Sequence, residues 1–253
     1  DLLNFSLKFA SLLKKKGFFV IVNLMRMHTI NFENTLNILG QYKILHEIID
    51  VLYIADSFGS STHLELEKVK NYLKRLEDNK NIKIGFHAHN NRGLALSNSL
   101  HAKNIGFKWI DGSWMGMGRG AGNAELEHLI LAVSEYASRS FDNIHASVPL
   151  SIFEYLTKLK LKYKWGKNIE YDIASRLNVH PSFVSDLSSE KLSNSEHKIN
   201  TLFSYSTIKN INLDKKSEDI KNIKFIYETF NSDLDKKNCI LLFGGQTSSY
   251  FAK

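Results

Sequence analysis

A single cysteine, Cys239, and only two prolines in 253 residues narrow the field before any motif is considered. One cysteine cannot build an intramolecular disulfide framework or a thiolate-rich zinc site, which fits a reducing, cytoplasmic setting. With so little proline and no low-complexity run, collagen-like and proline-rich classes drop out. Long apolar runs are missing too. The longest, around Phe18–Met25 and Cys239–Phe243, fall well short of the ~20 residues that a bilayer-spanning helix needs. The formal charge of +7 comes mostly from scattered lysines with no basic stripe interleaved with aromatics, so neither nucleic acid nor a membrane is an expected partner. The chain opens on Asp1 with no targeting peptide in view. What is there, 43% apolar and 23% charged residues, suffices to bury a globular core.

The apolar residues are organised as a repeated unit. Residues 1–16 read as a helix ended by Gly17, and Phe18–Leu24 follows as a β-rich run of the kind buried on both faces. A helix over 31–48 leads to a second such run, Val51–Ala55, then Asp56-Ser57-Phe58-Gly59 and a helix over 63–78. The third run, Ile82–Phe86, ends in His87-Ala88-His89-Asn90-Asn91 before a helix from about Gly93 to Asn104, and the fourth, Phe107–Ile110, leads through a glycine-rich loop, 116–123, into a helix over 124–138. Strands alternating with helices at this spacing predict a parallel sheet in an α/β fold. In such sheets functional groups gather at the carboxyl ends of the strands. The unusual polar residues of this chain sit there: Asn23, Asp56-Ser57, His87/His89 and the glycine loop. Beyond 140 the pattern changes. Residues 141–187 read as a helical extension with a helix start near Pro149, 188–237 as a polar linker with weak helical periodicity, and 238–253 as the start of a second domain.

Residues i and i+2 of a strand point the same way, so His87 and His89 can present two imidazoles to one ion. The alternative is that one ring is hydrogen-bonded in the interior and the other merely lines it. Imidazoles with oxygen ligands and no thiolate suit the harder divalent ions. Asp56 and Ser57 can orient a substrate carboxylate or carbonyl, or cap the following helix as turn formers do. The glycine loop exposes backbone N–H groups ahead of a helix, a cradle for a carboxylate or phosphate, although tight turns alone also call for glycine. Arg119 either adds charge to that cradle or faces solvent. His28, His46, His63, His101 and His145 read as surface or capping residues, Trp109 and Trp114 as packing residues, and Cys239 as a strand residue rather than a nucleophile.

Gly85-Phe86-His87-Ala88-His89-Asn90-Asn91-Arg92-Gly93-Leu94-Ala95, with Asn98-Ser99, Asp111-Gly112-Ser113 and Gly116-Met117-Gly118-Arg119-Gly120-Ala121-Gly122-Asn123, closely resembles the metal-dependent lyase/aldolase superfamily of TIM barrels. That superfamily includes 4-hydroxy-2-oxovalerate aldolase, 3-hydroxy-3-methylglutaryl-CoA lyase and the 2-isopropylmalate and citramalate synthases. The glycine loop and Ile54-Ala55-Asp56-Ser57 look like the aldolase forms. The resemblance covers about 1–185 and is specific over 84–127. It implies a partial TIM barrel of four C-terminal βα units, with His87 and His89 as metal ligands and Asp56, Ser57, Gly118, Gly120 and Asn123 as substrate-binding positions. The implied cofactor is a divalent metal ion, Mn²⁺ or Mg²⁺ before others, and the implied substrates are a 2-oxo acid and an aldehyde, handled through pyruvate enolate chemistry.

One departure is large. The family's Arg-Asp pair on its first strand, with a nearby base, has no counterpart here, because the four units match strands 5 to 8. The resemblance therefore implies an N-terminally truncated piece whose catalytic residues of strand 1 are absent, which binds metal weakly, is inactive alone and leaves an unpaired edge on its first strand. A homo-oligomer or partner domain is a further expectation. The alternatives are a synthase-like acyltransferase using acetyl-CoA and a non-catalytic remnant of the fold.

Overall fold

The apolar runs become the strands of one sheet because their side chains find partners on both faces. The computed structural model describes residues 2–41, 45–80, 82–136, 151–189, 194–211 and 238–241. Helix α1 (Leu2–Lys15) leads into β1 (Phe19–Leu24), α2 (Phe32–Gly40), β2 (Val51–Asp56), α3 (His63–Lys80), β3 (Lys83–Ala88), α4 (Ala95–Asn104), β4 (Trp109–Ile110) and α5 (Leu126–Tyr136). Further helices are α6 (Ser151–Tyr163), α7 (Ile169–Arg176), α8 (Pro181–Ser189) and α9 (Ser195–Ile211), followed by β5 (Asn238–Leu241). No helix among the described residues is long and apolar enough to cross a membrane.

The sheet runs β4-β3-β2-β1-β5, and every pairing is parallel. The alternation of a pleated strand divides it into two faces. Val20, Val22, Leu52, Ile54, Ile84 and Phe86 pack outward against helical residues such as Leu7, Leu39, Leu66 and Leu73. Phe19, Ile21, Val51 and Tyr53 form a separate apolar layer on the other face. That face is concave. Phe19 on β1 stacks on Trp109 of β4 with ring centroids 5.6 Å apart, whereas three strand spacings in a flat sheet would separate them by roughly 14 Å. The sheet is curled as a barrel wall is. At the opposite end from the polar residues, Asp50 accepts a hydrogen bond from Val20 N at 2.7 Å and pairs with Lys14, fixing α1 against the start of β1.

Several expectations shift in detail. The helix expected over 31–48 stops at Gly40, capped at its start by Asn31, whose Oδ1 accepts from Asn34 N. The fourth strand shrinks to two residues. The first strand's edge is not left open: β5 pairs with it, Val20 opposite Cys239 and Ile21 opposite Ile240. The apolar content of 239–241 matches that edge, so the strand expected to open a second domain joins this sheet over its described residues. The stretch expected to be a polar linker contains α9, which buries Leu202 among Tyr171, Ala174, Val179, Val184 and Leu187 of α7, α8 and their connection. The apolar residues of this helix are interspersed with Ser, Thr, Asn and Lys, which gives little periodicity to read, and burial arises from what the neighbouring helices present. The helix start at Pro149 and His145 lie outside the described residues.

Candidate functional site

The carboxyl end of the sheet is built from four strand ends. On β3, His87 and His89 present their rings together, centroids 5.0 Å apart and planes at 85°. His87 Nδ1–H donates to Asp111 Oδ1 at 2.9 Å, just past β4. The ring of His89 hydrogen-bonds the carbonyl of Gly122, and its backbone faces Asn123 across an antiparallel bridge. Asn90 N also donates to Gly122 O at 2.9 Å. Each imidazole thus has a hydrogen bond to an oxygen, the kind of outer hydrogen bond that fixes the tautomer of a metal-ligating histidine.

Electrostatics separates the two rings. Burial, followed by the charge of His87, pushes His89 down to about 3, so it is neutral across the physiological range. Burial also disfavours the His87 cation, but the hydrogen bond and charge of Asp111 outweigh it and hold His87 above its ordinary value. On β2, Tyr53 lies across from Asn23 of β1 and Gly85 of β3. Burial first and the Asp111 carboxylate second keep its phenol protonated beyond the ordinary range. A Cβ at residue 85 would lie 2.5 Å from the Tyr53 ring, so glycine there is what admits the phenol beneath His87.

Asp56 and Ser57 are fully buried, and their oxygens are engaged by the protein. Asp56 accepts from Ser60 N at 3.1 Å, Ser61 N at 3.0 Å and His28 Nε2 at 3.1 Å. Burial would raise its pKa, but His28 and Ser61 more than offset this and hold it below the ordinary carboxylate range. Ser57 Oγ accepts from Arg26 N at 2.9 Å. This hydrogen bond secures Arg26 in a left-handed conformation, φ 60° and ψ 55°, which a non-glycine residue adopts at a cost. His28 is therefore an interior partner of Asp56 rather than a surface residue.

In the glycine loop, close packing decides the residue types. A Cβ on Gly122, φ +84°, would come within 2.2 Å of Gly116 O, one on Gly118 within 2.7 Å of Asn123 Nδ2, and one on Gly120 within 2.8 Å of the Tyr171 ring. Asn123 Nδ2 donates to Met117 O at 3.1 Å, while its Oδ1 is buried with no hydrogen-bond partner among the described residues. Asn23 Oδ1 is in the same position. Two inward acceptors in want of a donor mark a polar cavity wall rather than a packed core.

The structure brings His87, His89 and Asn123, which the sequence singled out, to one place. Sequence reasoning gave no role to Asp111 and Tyr53, which the structure sets beside His87. Asp111 could have been found as the first polar residue after the fourth strand, and Tyr53 as the residue in register with Asn23. Among the described residues no group of three or more His, Cys, Asp or Glu side chains converges as a complete metal site.

The HMGL-like family model matches residues 6–168. The chain is 39% identical over 125 residues to 4-hydroxy-2-oxovalerate aldolase of Pelotomaculum thermopropionicum, covering 49% of this chain and 35% of that protein. It is 32% identical over 120 residues to oxaloacetate decarboxylase of Mycobacterium tuberculosis, covering 47% and 34%. It therefore spans about a third of the length of these curated relatives. Among solved structures, the N-terminal domain of a Bacteroides vulgatus protein described as an aldolase superposes with a TM-score of 0.60 and 31% identity, over 73% of this chain and 59% of that one. The carboxyl transferase domain of Rhizobium etli pyruvate carboxylase shares the fold at a TM-score of 0.53 and 13% identity, over 75% and 33% of the two chains. The matched span runs from α1 through all four βα units and past the glycine loop, and on that ground the chain belongs to the HMGL-like family.

Proposed function

We propose that the chain carries the histidine side of the active site of a divalent-metal-dependent lyase that makes or breaks a carbon–carbon bond next to a 2-oxo acid. The observation that supports this reading best is the His87/His89 pair, the rings 5.0 Å apart between centroids and each anchored by a hydrogen bond to an oxygen. The donor set fits a divalent cation: two imidazoles hold it, and the harder Mn²⁺ or Mg²⁺ suits the oxygen-rich surroundings of Asp111, Tyr53, Asn23 and Asn123. Bound there, the cation supplies Lewis acidity towards a keto oxygen.

The chain's own residues do the rest of the positioning. Asp111 orients His87 and supports its basicity towards the ion. His89, neutral in this environment, offers a lone pair without first losing a proton. The unpartnered Oδ1 atoms of Asn23 and Asn123 accept from a hydroxyl or water of the substrate, and the protonated Tyr53 donates. Asp56 and Ser57 act behind this surface, fixing His28 and Arg26, while Gly118 lets Asn123 lie flat against the loop and Gly120 seats Tyr171. The remaining ligands and the catalytic base come from water, the substrate or protein not described here. The test is metal-dependent retro-aldol release of pyruvate by the full-length protein. Activity is expected with Mn²⁺ or Mg²⁺ and abolished by chelation or by His87→Ala, and carbon–carbon chemistry that requires acetyl-CoA would overturn the aldolase reading in favour of a synthase.

A further inference from the structure

Near the histidine pair, two arginines lie at the same end of the sheet, Arg26 with no acidic partner within ion-pair distance among the described residues and Arg119 under the opposing charges of Arg26 and Asp186. Arg26 follows the carboxyl end of β1 and is held in its left-handed conformation by Ser57 Oγ at 2.9 Å. Its guanidinium makes no hydrogen bond or ion pair among the described residues. Arg119 enters from the glycine loop, and its Nη2 lies 3.3 Å from His180 Nε2, while Ser182 N donates to His180 Nδ1 at 3.3 Å and Ser182 Oγ lies 2.7 Å from the same nitrogen. Aromatic packing ties the two sides together: Phe58, next to Ser57, meets His28 at 6.0 Å and His180 at 5.6 Å between ring centroids. The arginines repel one another. Arg119 is drawn below its ordinary value by burial first and by the charge of Arg26 second, with Tyr171 and Asp186 opposing. At the same end of the sheet, Asp56 is engaged by His28 and two N–H groups and Asp111 by His87.

We propose that Arg26 and Arg119 form a receptor for a second anionic group, a phosphate or carboxylate at the end of the substrate remote from its keto carbon. The proposal rests on the lyase reading and narrows its substrate class: the aldehyde partner, or the aldol containing it, carries a negative charge of its own. Arg26, held by Ser57, and Arg119, held by His180, flank Phe58, and two half-buried guanidinium forks so placed suit a polydentate oxyanion, which gains charge-assisted hydrogen bonds from both. The backbone at Arg26 argues in the same direction. Glycine would occupy its φ and ψ without strain, so the arginine side chain is present at a conformational cost that a ligand-binding role accounts for.

The test uses the chain without metal and measures inorganic phosphate and, separately, succinate binding by calorimetry. Wild type is expected to bind at least one of them saturably, and which one it prefers identifies the anion class. Arg26→Gly is expected to melt within about two degrees of wild type, since it relieves backbone strain, yet to weaken binding about tenfold, as is Arg119→Gln. Should Arg119→Gln fail to fold, Arg119→Lys is expected to fold and still to weaken binding, because an ammonium cannot replace the fork. No saturable binding by wild type, or unchanged binding in folded arginine variants, overturns the proposal. Mn²⁺ binding by the same samples reports separately on the histidine pair, so failure of either reading is visible without the other.

Discussion

At the residue scale, the site depends on a few places where a side chain is absent. Gly85 leaves room for the Tyr53 ring, and Gly122 lets the loop turn back to within contact of Gly116. Gly85→Ala is expected to lower stability by about 1–3 kcal/mol through overpacking, read as a shift of the thermal midpoint. Gly122→Ala combines a positive φ with a backbone clash and disturbs the carbonyl that anchors His89, so it is expected to impair Mn²⁺ binding along with stability. Asp56 is the residue with a pH signature. Its pKa is depressed in the folded chain, so the ionised carboxylate contributes stability that is complete above the ordinary aspartate range and is lost as pH falls through the folded value. Asp56→Ala, which strands His28 and two N–H groups, is expected to cost about 3 kcal/mol at neutral pH. The gap between the melting temperatures of wild type and Asp56→Asn is expected to narrow in acid, and a gap that widened there would contradict this role.

At the element scale, the central strands and the C-terminal helices have separate cores. β1, β2 and β3 share the large apolar cluster with α1 to α5, while α7, α8 and α9 close around Leu202 and Tyr171. The two meet at the loop through Gly166 N to Gly120 O at 3.0 Å and Trp165 Nε1 to Met115 O at 3.0 Å, and beyond β2 through Ser175 Oγ to Gly59 O at 3.3 Å. The helices thereby brace the loop that carries Asn123 and Arg119. Leu202→Ala is expected to destabilise this helical cluster by about 2–4 kcal/mol. Hydrogen exchange is expected to speed up across 169–211 while β2 and β3 keep their protection. Uniform loss of protection would show that the two cores unfold as one.

At the scale of the whole molecule, what could be read from the sequence follows from which forces are local. Phe19–Val22 and Val51–Ala55 announce themselves as strands because burial on both faces demands continuous apolar runs, and His87-Ala88-His89 falls at a strand end because the run before it stops there. Partner choice is not local. Nothing in Cys239–Leu241 says that it will lie against β1 rather than begin a new unit, and nothing in Asp111 says that it will meet His87 from the neighbouring strand. Asp56 and Ser57 were legible as residues of consequence, but their role was not, since a carboxylate that binds substrate and one that caps a loop look alike in sequence. The resemblance over 84–127 pointed to the candidate site, and the structure shows which of its polar groups are engaged by the protein and which lack a partner among the described residues. The measurement that bears most directly on the account is Mn²⁺ titration of the purified chain, wild type against His87→Ala and His89→Ala, followed by calorimetry and by electron paramagnetic resonance. One Mn²⁺ with nitrogen coordination in wild type, weakened at least about tenfold in each variant, is the expected result. Equal binding by all three proteins, or no nitrogen coordination in wild type, would contradict it.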